Sequence, residues 1–177
     1  MTDTGAVGAR EFGSARMEMQ PLADADAPLY ARIYGDAELM RFVAPPLSGA
    51  ALQRSFNAAL ESTRARNFRG RYWRMVERAG GQDIGILGLS RAAADAGGGA
   101  ELGCMILGAW QAQGFAIEGL SALVEHAFKV EALPRLVAMH MPAHAAAVAL
   151  VARLGFQREP TLAGAVYATR WSLIKAP

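Results

Sequence analysis

The stretch Gln111-Ala112-Gln113-Gly114-Phe115-Ala116 stands between an apolar run of strand length, residues 100–107, and an amphipathic helical pattern that continues to about Val130. A glycine-containing junction of this kind leaves several backbone N–H groups directed at one point, ahead of a helix whose N-terminus carries partial positive charge. Such junctions bind phosphate groups. The stretch therefore predicts an anion-binding loop, although the glycine taken alone also fits an ordinary turn between a strand and a helix.

The segments on both sides of this loop alternate between strand and helix patterns. Apolar residues at every second position predict strands, and apolar residues at every third or fourth position predict helices. The predicted strands are Met17–Gln20, Tyr72–Glu77, Asp83–Ser90, Glu101–Leu107, Leu136–Met141 and Tyr167–Ile174. Four helices are predicted: one after the cap residue Asp26, one after the cap residue Ser48, one after the loop, and one that begins at Pro142. A hairpin turn is expected at residues 79–82 and a second turn at Ala94–Gly99. These patterns together favour an α+β domain.

Length and composition are those of one globular domain. The chain has 177 residues, of which 53% are hydrophobic, so it can bury a core without metals or disulfides. We expect residues 1–14, rich in Gly, Thr and Ala, to form a flexible tail and residues 15–177 to form a single domain. One cysteine excludes an internal disulfide, and neither a signal peptide nor an apolar run of membrane-spanning length is present. A cytoplasmic protein that does not enter a membrane is expected.

Charge and side-chain chemistry argue against several other classes of protein. Six arginines lie between Arg64 and Arg78, but the net charge is only +2 and no stacking motif or recognition helix accompanies them. A solvated surface is favoured there over a nucleic-acid site, and attraction of an acidic substrate or a nucleotide phosphate is a further reading. The histidines have no metal-ligand spacing, so no metal is expected. Cys104 lies in an apolar strand and is interpreted as a small buried hydrophobe rather than an acyl carrier.

The motif Q-x-x-G-x-A at 111–116, followed by Leu154-Gly155-Phe156, resembles the GNAT superfamily of acyl-CoA N-acyltransferases, and most closely its RimJ/RimL-like branch. The run at residues 16–22 and the hairpin at 73–89 are similar to further parts of the family, so the resemblance covers roughly residues 16–160. It implies a GNAT fold with a mixed, mostly antiparallel sheet of about six or seven strands flanked by helices. The sheet would splay at a bulge in the strand Glu101–Leu107, before the pyrophosphate loop.

The resemblance also implies an activity. It is acetyl-CoA-dependent N-acetyl transfer to a primary amine, either a protein or peptide N-terminus or a small amine, by direct attack in a ternary complex. Acceptor selection would depend on residues 34–46 and the segment after Phe156, and a monomer and a homodimer both remain open. The residues implied to bind coenzyme A are Met105, Ile106 and Leu107 of the strand, Gln111, Gln113, Gly114, Phe115 and Ala116 of the loop, and His144.

Three side chains are candidates for catalysis. Glu101 and Glu118 are the carboxylates nearest the expected thioester, and either one could remove a proton from the amine. Glu118 also fits a carboxylate that stabilises a helix N-terminus. His144 and Ala147 stand where the family has Asn and often Ser. The His144 side chain can still donate or accept a hydrogen bond, whereas the Ala147 side chain cannot. His144 also fits a surface residue without a function. The alternative function is therefore a catalytically weak or inactive acyl-CoA-binding module on the same fold.

Overall fold

A central sheet is the framework of the molecule, and its long strands lie close to the predicted ones. The computed structural model describes residues 8–91, 98–160 and 169–175. The strands are β1 (Phe12–Gly13), β2 (Met17–Pro21), β3 (Gly70–Glu77), β4 (Asp83–Arg91), β5 (Ala100–Ile106), β6 (Arg135–His140), β7 (Gln157–Arg158) and β8 (Thr169–Ile174). The helices are α1 (Ala27–Tyr34), α2 (Ala37–Met40), α3 (Gly49–Arg64), α4 (Phe115–Lys129) and α5 (Ala145–Arg153), with short 3-10 turns at Asp24–Asp26 and Gly108–Trp110.

The strands form one mixed sheet in the order β1-β2-β3-β4-β5-β6-β8-β7. Neighbouring strands are antiparallel except β5 and β6, which run parallel because α4 carries the chain from the end of β5 back to the start of β6. The predicted α+β fold with a mostly antiparallel sheet is confirmed. Within the described residues the sheet has eight strands rather than six or seven, because β1 and β7 are two-residue strands with no readable period.

Helices cover both faces of the sheet because successive strand side chains point to opposite sides. On one face α4 and α5 bury Leu120, Leu123 and Val151 against strand residues that include Trp73 and Leu87. On the other face α1 and α3 bury a second cluster comprising Leu29, Ile33, Phe56 and Leu60 around Ile86. Each such side chain contributes roughly 1.5–3 kcal/mol when fully buried. In the part of the chain that the structure describes, no helix combines the length and apolar character needed to cross a membrane.

The sheet opens between β5 and β6. The two strands pair only at Ala100 with Leu136 and at Glu101 with Val137, and diverge beyond these pairs. The predicted splay is therefore confirmed. The predicted bulge in β5 is wrong, because β5 stays in unbroken register with β4 from Ala100 to Ile106. The strands separate without an inserted residue because β6 remains paired with β8 along its whole length.

The described part of the predicted tail is packed against the domain. The Ala9 N–H donates to the Thr63 carbonyl at 2.9 Å, and the Trp73 indole N–H donates to the Arg10 carbonyl at 2.8 Å. Phe12 stacks on the His126 ring with centroids 4.3 Å apart. The tail prediction is therefore wrong for residues 8–14, where one anchoring aromatic ring outweighs a flexible composition. Residues 1–7 lie outside the described part of the chain.

Neither of the two predicted helix caps makes a capping hydrogen bond through its side chain. The Asp26 carboxylate accepts the Ala23 N–H at 2.8 Å and lies 3.3 Å from Arg74, so it closes the 3-10 turn before α1 instead of capping α1. Ser48 occupies the N-cap position of α3, but its side chain makes no cap hydrogen bond. Helix propensity and packing of the buried stripe are therefore sufficient to begin α3 there.

The last helix begins later than predicted. Pro142 lies in a turn, and α5 begins at Ala145 with His144 as its N-cap. The His144 side chain accepts the Ala147 N–H and so caps the helix, which the proline side chain cannot do. The closing strand is described from Thr169 onward, and residues 167–168 of its predicted start lie outside the described residues. So do residues 94–97 of the predicted turn before β5.

Candidate functional site

A cleft of about 710 Å³ runs along the opening between β5 and β6. One end reaches the loop before α4, where Gly114 and Ala116 line it. The other end reaches the sheet face beneath α1, where Tyr34, Tyr72 and Glu101 line it. A long ligand could therefore contact the loop, the edge of β5 and this carboxylate at the same time.

The loop presents backbone donors at the N-terminus of α4. Gly114 adopts a left-handed conformation with φ of 82°, and Ala112 does the same with φ of 58°. Among the described residues, the N–H groups of residues 112–117 donate no hydrogen bond to the protein. Six neighbouring donors at the positive end of a 15-residue helix are an arrangement suited to hold an anion. This geometry fits the diphosphate of a nucleotide.

The edge of β5 offers main-chain groups to the cleft. The Leu107 N–H donates to the Ile84 carbonyl at 2.9 Å, so at this position the strand bonds toward β4. Because the bonding direction alternates along a strand in unbroken register, the Ile106 and Cys104 main-chain groups face β6. The pairing of β6 with β5 ends at Val137, so these main-chain groups of β5 border the opening. The Ile106 carbonyl accepts the Gln111 side-chain N–H at 2.9 Å, which ties the loop to the strand end.

An arginine holds the loop from outside. The Arg16 guanidinium donates to the Gln113 carbonyl at 3.1 Å and to the Glu118 carboxylate at 2.6 Å, and it covers the Phe115 ring at 4.2 Å. Glu118 also accepts the Ser14 hydroxyl at 2.8 Å. The first turn of α4 and the chain before β2 are therefore clamped together beside the anion site.

Glu101 is a half-buried carboxylate in the cleft that makes no hydrogen bond with the rest of the described chain. Burial raises the pKa of Glu101, and the nearby positive charge of Arg170 opposes this increase. Burial also raises the pKa of Tyr72, to which Tyr30 and the charge of Glu101 add. A carboxylate with a raised pKa and free lone pairs is suited to accept a proton from a bound amine.

His144 lies at the cleft on the opposite side of the opening. Its Nδ1 accepts the Ala147 N–H at 3.4 Å, and its ring stacks on Phe42 with centroids 4.5 Å apart. Burial lowers the pKa of His144, and the electrostatic influence of nearby His140 and Arg41 lowers it further. The neutral ring therefore carries its proton on Nε2, which has no protein partner among the described residues.

Comparison with known proteins identifies the architecture. The acetyltransferase (GNAT) domain model matches residues 16–157. This chain belongs to the GNAT acetyltransferase family. No match is found among curated protein sequences.

Solved structures share the fold at low sequence identity. An acetyltransferase from Agrobacterium tumefaciens str. C58 has a TM-score of 0.81 and 20% identity, with 99% of this chain and all of the other covered. Spermidine N-acetyltransferase from Vibrio cholerae, in complex with CoA and spermine, has a TM-score of 0.77 and 16% identity over 90% of this chain and 96% of its own. RimL, a ribosomal L7/L12 α-N-protein acetyltransferase in complex with coenzyme A, has a TM-score of 0.77 and 18% identity over 93% and 98%.

The predicted coenzyme-contacting residues of this GNAT domain divide by role. Seven of them line the cleft: Met105, Ile106, Gln111, Gly114, Phe115, Ala116 and His144. The Phe115 side chain is mostly buried against Trp110, so only its backbone suits a ligand. Gln113 contributes its N–H, while its side chain bonds back to the Ala109 carbonyl at 2.8 Å. Leu107 does not fit its prediction, since its N–H is bonded to Ile84 and its side chain is buried in the core.

The environment of Glu118 disfavours the predicted role in proton transfer. Burial acts to raise its pKa, but hydrogen bonds from the Arg16 N–H, the Ser14 hydroxyl and the Arg16 guanidinium outweigh burial and lower it. A carboxylate that is already bonded and more acidic than usual is a poor base at neutral pH. The contacts support the other reading, in which Glu118 stabilises the N-terminus of α4.

Other expectations can be compared with the site. Cys104 is partly buried at the wall of the cleft, and burial raises the pKa of its thiol to about 12, which fits a small hydrophobe and not a nucleophile. Four arginines of the 64–78 segment pair with acids on separate parts of the surface or interior: Arg64 with Asp24, Arg71 with Glu131, Arg74 with Asp26 and Asp83, and Arg78 with Glu18. They do not form one basic face. No cluster of three or more potential metal ligands occurs within the described ranges.

Sequence patterns missed two contributors to the site. Arg16 clamps a loop about a hundred residues away, and no local period signals such a contact. Tyr72 was assigned only to a strand, although its side chain faces the cleft. Its position on the same sheet face as Glu101 follows from strand register, which needs the pairing of β3, β4 and β5 to be known.

Proposed function

We propose that this protein is an N-acetyltransferase that transfers the acetyl group of acetyl-CoA to a primary amine by direct attack in a ternary complex. The observation that carries the proposal is a single cleft that joins the unpaired N–H groups of residues 112–117, the open edge of β5 and the unpaired carboxylate of Glu101. The two neighbours solved with coenzyme A, RimL and the spermidine enzyme, share this fold and support the choice of cosubstrate.

The loop and β5 suit the donor. The six loop N–H groups would bind the diphosphate, and the Cys104 and Ile106 main-chain groups would pair with the amide-containing arm of the coenzyme. Acetyl-CoA supplies an activated acyl thioester when bound. An N–H near the thioester carbonyl stabilises the negative charge that develops on the oxygen during attack. The alternation along β5 favours the Ile106 N–H for this role over that of Met105, which bonds toward β4.

Glu101 and His144 are the proposed catalytic residues. Glu101 would accept the proton whose loss makes the amine nucleophilic. His144 would donate a hydrogen bond from its Nε2–H to the thioester sulfur. It would do so as a neutral donor, in the place where the family has an Asn amide. Because the ring lies at the cleft while Nδ1 is already bonded, only one nitrogen of His144 is available for this contact.

The walls of the cleft favour an amine with one positive charge and an apolar neighbour. Among the described lining residues Glu101 is the only carboxylate, and Arg153 adds a positive charge. Val43 and Met139 line the same cleft with 54% and 45% of their surface exposed. A polyamine would place several ammonium groups where a single carboxylate can pair with them. The α-amine of a peptide with an apolar first residue fits better, in line with the RimL neighbour.

Two measurements test the proposal. Isothermal titration of the whole chain with coenzyme A and acetyl-CoA should give saturable binding, and no binding at millimolar ligand would overturn it. Thiol release from acetyl-CoA should then be measured with peptides that begin with an apolar residue, with simple monoamines and with spermidine. Faster release with the peptides is expected. Binding without turnover on any amine would instead support the inactive acyl-CoA-binding module.

A further inference from the structure

We infer that Phe42 is a positioning residue for His144, and that it couples the acceptor-side segment between α2 and α3 to the donor side of the cleft. The inference rests on the proposed function. The two rings lie 4.5 Å apart between centroids with an interplanar angle of 27°, which is a stacked arrangement. Phe42 follows α2 and His144 precedes α5, and both residues line the cleft, so the stack joins two separate elements of its wall.

Two contacts together define the orientation of the imidazole. The Ala147 N–H donates to Nδ1 at 3.4 Å, which makes Nδ1 the acceptor and leaves the proton on Nε2. That bond alone allows the ring to tilt about it. The face of the Phe42 ring removes this freedom. Phe42 is held in turn by Arg41, whose guanidinium lies 4.6 Å from the Phe42 ring centroid and pairs with Glu38.

The other cleft histidine shows why His144 is the relevant donor. His140 accepts the Trp171 indole N–H at 2.8 Å on Nε2 and contacts the Met141 carbonyl at 2.9 Å through Nδ1. Both of its nitrogens are therefore used inside the protein. Of the four ring nitrogens of these two histidines, only the His144 Nε2 lacks a partner among the described residues. Its direction therefore matters to a bound ligand, and so does the residue that sets this direction.

The charged groups near His144 come from several elements. His140 at the end of β6 and Arg41 after α2 both disfavour the imidazolium, and burial is the largest contribution. Glu101 and Arg153 line the same cleft. Removing the Phe42 ring would expose the imidazole to water, so the pKa of His144 should rise toward its usual value.

The test compares Phe42→Leu with Phe68→Leu. Phe68 is a suitable control because it is also half-buried and also lies under an arginine, with Arg71 5.6 Å from its centroid, but it does not line the cleft. Phe42→Leu should lower kcat on the order of 10-fold, because the donor is no longer oriented, with the Kd for coenzyme A unchanged within about twofold. Phe68→Leu should leave kcat unchanged, and Phe42→Tyr should restore the stack and most of the rate.

Two further readouts separate positioning from general damage. Phe42→Leu should have no additional effect on kcat in a His144→Ala background, because the group it orients is gone. The His144 ring protons, followed by NMR against pH, should titrate at higher pH in Phe42→Leu and at the wild-type pH in Phe68→Leu. Full additivity of the two substitutions, or an unchanged titration, would overturn the inference. The titration needs no substrate, so it decides the question even if no amine is acetylated.

Discussion

Replacing Gly114 by alanine tests the anion site most directly, because Gly81 provides a matched control. Both glycines have positive φ, 82° for Gly114 and 67° for Gly81, where a Cβ is strained. The left-handed conformation costs an L-residue roughly 1–2 kcal/mol. Gly81 lies in the β3–β4 turn with no atom within 4 Å of an added Cβ, whereas a Cβ at Gly114 would lie 3.4 Å from the Arg16 guanidinium.

The two substitutions should therefore match in stability and differ in binding. Each should lower the free energy of unfolding by about 1–2 kcal/mol, which corresponds to a Tm decrease of roughly 2–8 °C for a domain of this size. If the strained loop relaxes and withdraws one N–H from the diphosphate, a charge-assisted hydrogen bond of about 1.5–3 kcal/mol is lost. That loss raises the Kd for coenzyme A by about 10- to 150-fold in Gly114→Ala, whereas Gly81→Ala should bind like the wild type.

The assay is calorimetric titration of coenzyme A into each variant, with thermal unfolding measured on the same preparations. Equal affinity of Gly114→Ala and wild type would refute the assignment of the loop as the diphosphate site. Equal weakening in both variants would mean that binding follows overall stability and not loop geometry. Adenosine without phosphates, titrated as a second ligand, should not distinguish the variants.

Three further predictions concern titratable groups. Glu101→Gln should lower kcat by about 100-fold or more with little change in coenzyme binding, and the wild-type rate should fall with acid through a pKa above the usual carboxyl range; a pH–rate profile without that limb would contradict the role. Because the folded-state pKa of Glu118 is lowered, its stabilisation is present at neutral pH and is lost as the pH falls below the usual carboxyl value. Urea unfolding should show Glu118→Gln to be less stable by about 1 kcal/mol at pH 7 and nearly equal to wild type at pH 3, and a pH-independent difference would argue against the Arg16 pair. With its pKa raised to about 12, Cys104 should react with iodoacetamide at pH 8 at least about 100-fold more slowly in native protein than in urea, as followed by mass spectrometry; comparable rates would contradict the raised pKa.

The parts of the fold that were predictable are those with local signals. A Gly-containing loop between a strand and an amphipathic helix can be recognised within 20 residues, and the loop at Gly114 and helix α4 appear as expected. The β3–β4 hairpin follows from two apolar runs and a glycine turn in the same way. In each case one short segment carries both the pattern and the contacts that stabilise it.

The contacts that could not be predicted join distant segments. Nothing near Glu118 in the sequence indicates that Arg16 binds it, so the sequence alone leaves this carboxylate as a candidate base. Phe12 sits in a stretch of tail-like composition, yet its ring packs on His126. The start of α5 was misplaced because a proline suggests a first turn, whereas the cap that begins the helix is a histidine side chain. These outcomes depend on tertiary partners that a single sequence does not display.

The short β5–β6 junction makes the sheet mechanically uneven. Among the described residues five strands lie on one side of it and three on the other, and only two residue pairs of the sheet join the two parts. Amides bordering this seam, such as those of Cys104 and Ile106, should exchange with solvent deuterium faster than amides between β3 and β4. An acyl donor bound in the opening would supply hydrogen bonds that the two strands do not make with each other. Binding would then tighten the half of the molecule that carries His144 against the half that carries Glu101, and so bring both sides of the reaction into one rigid body.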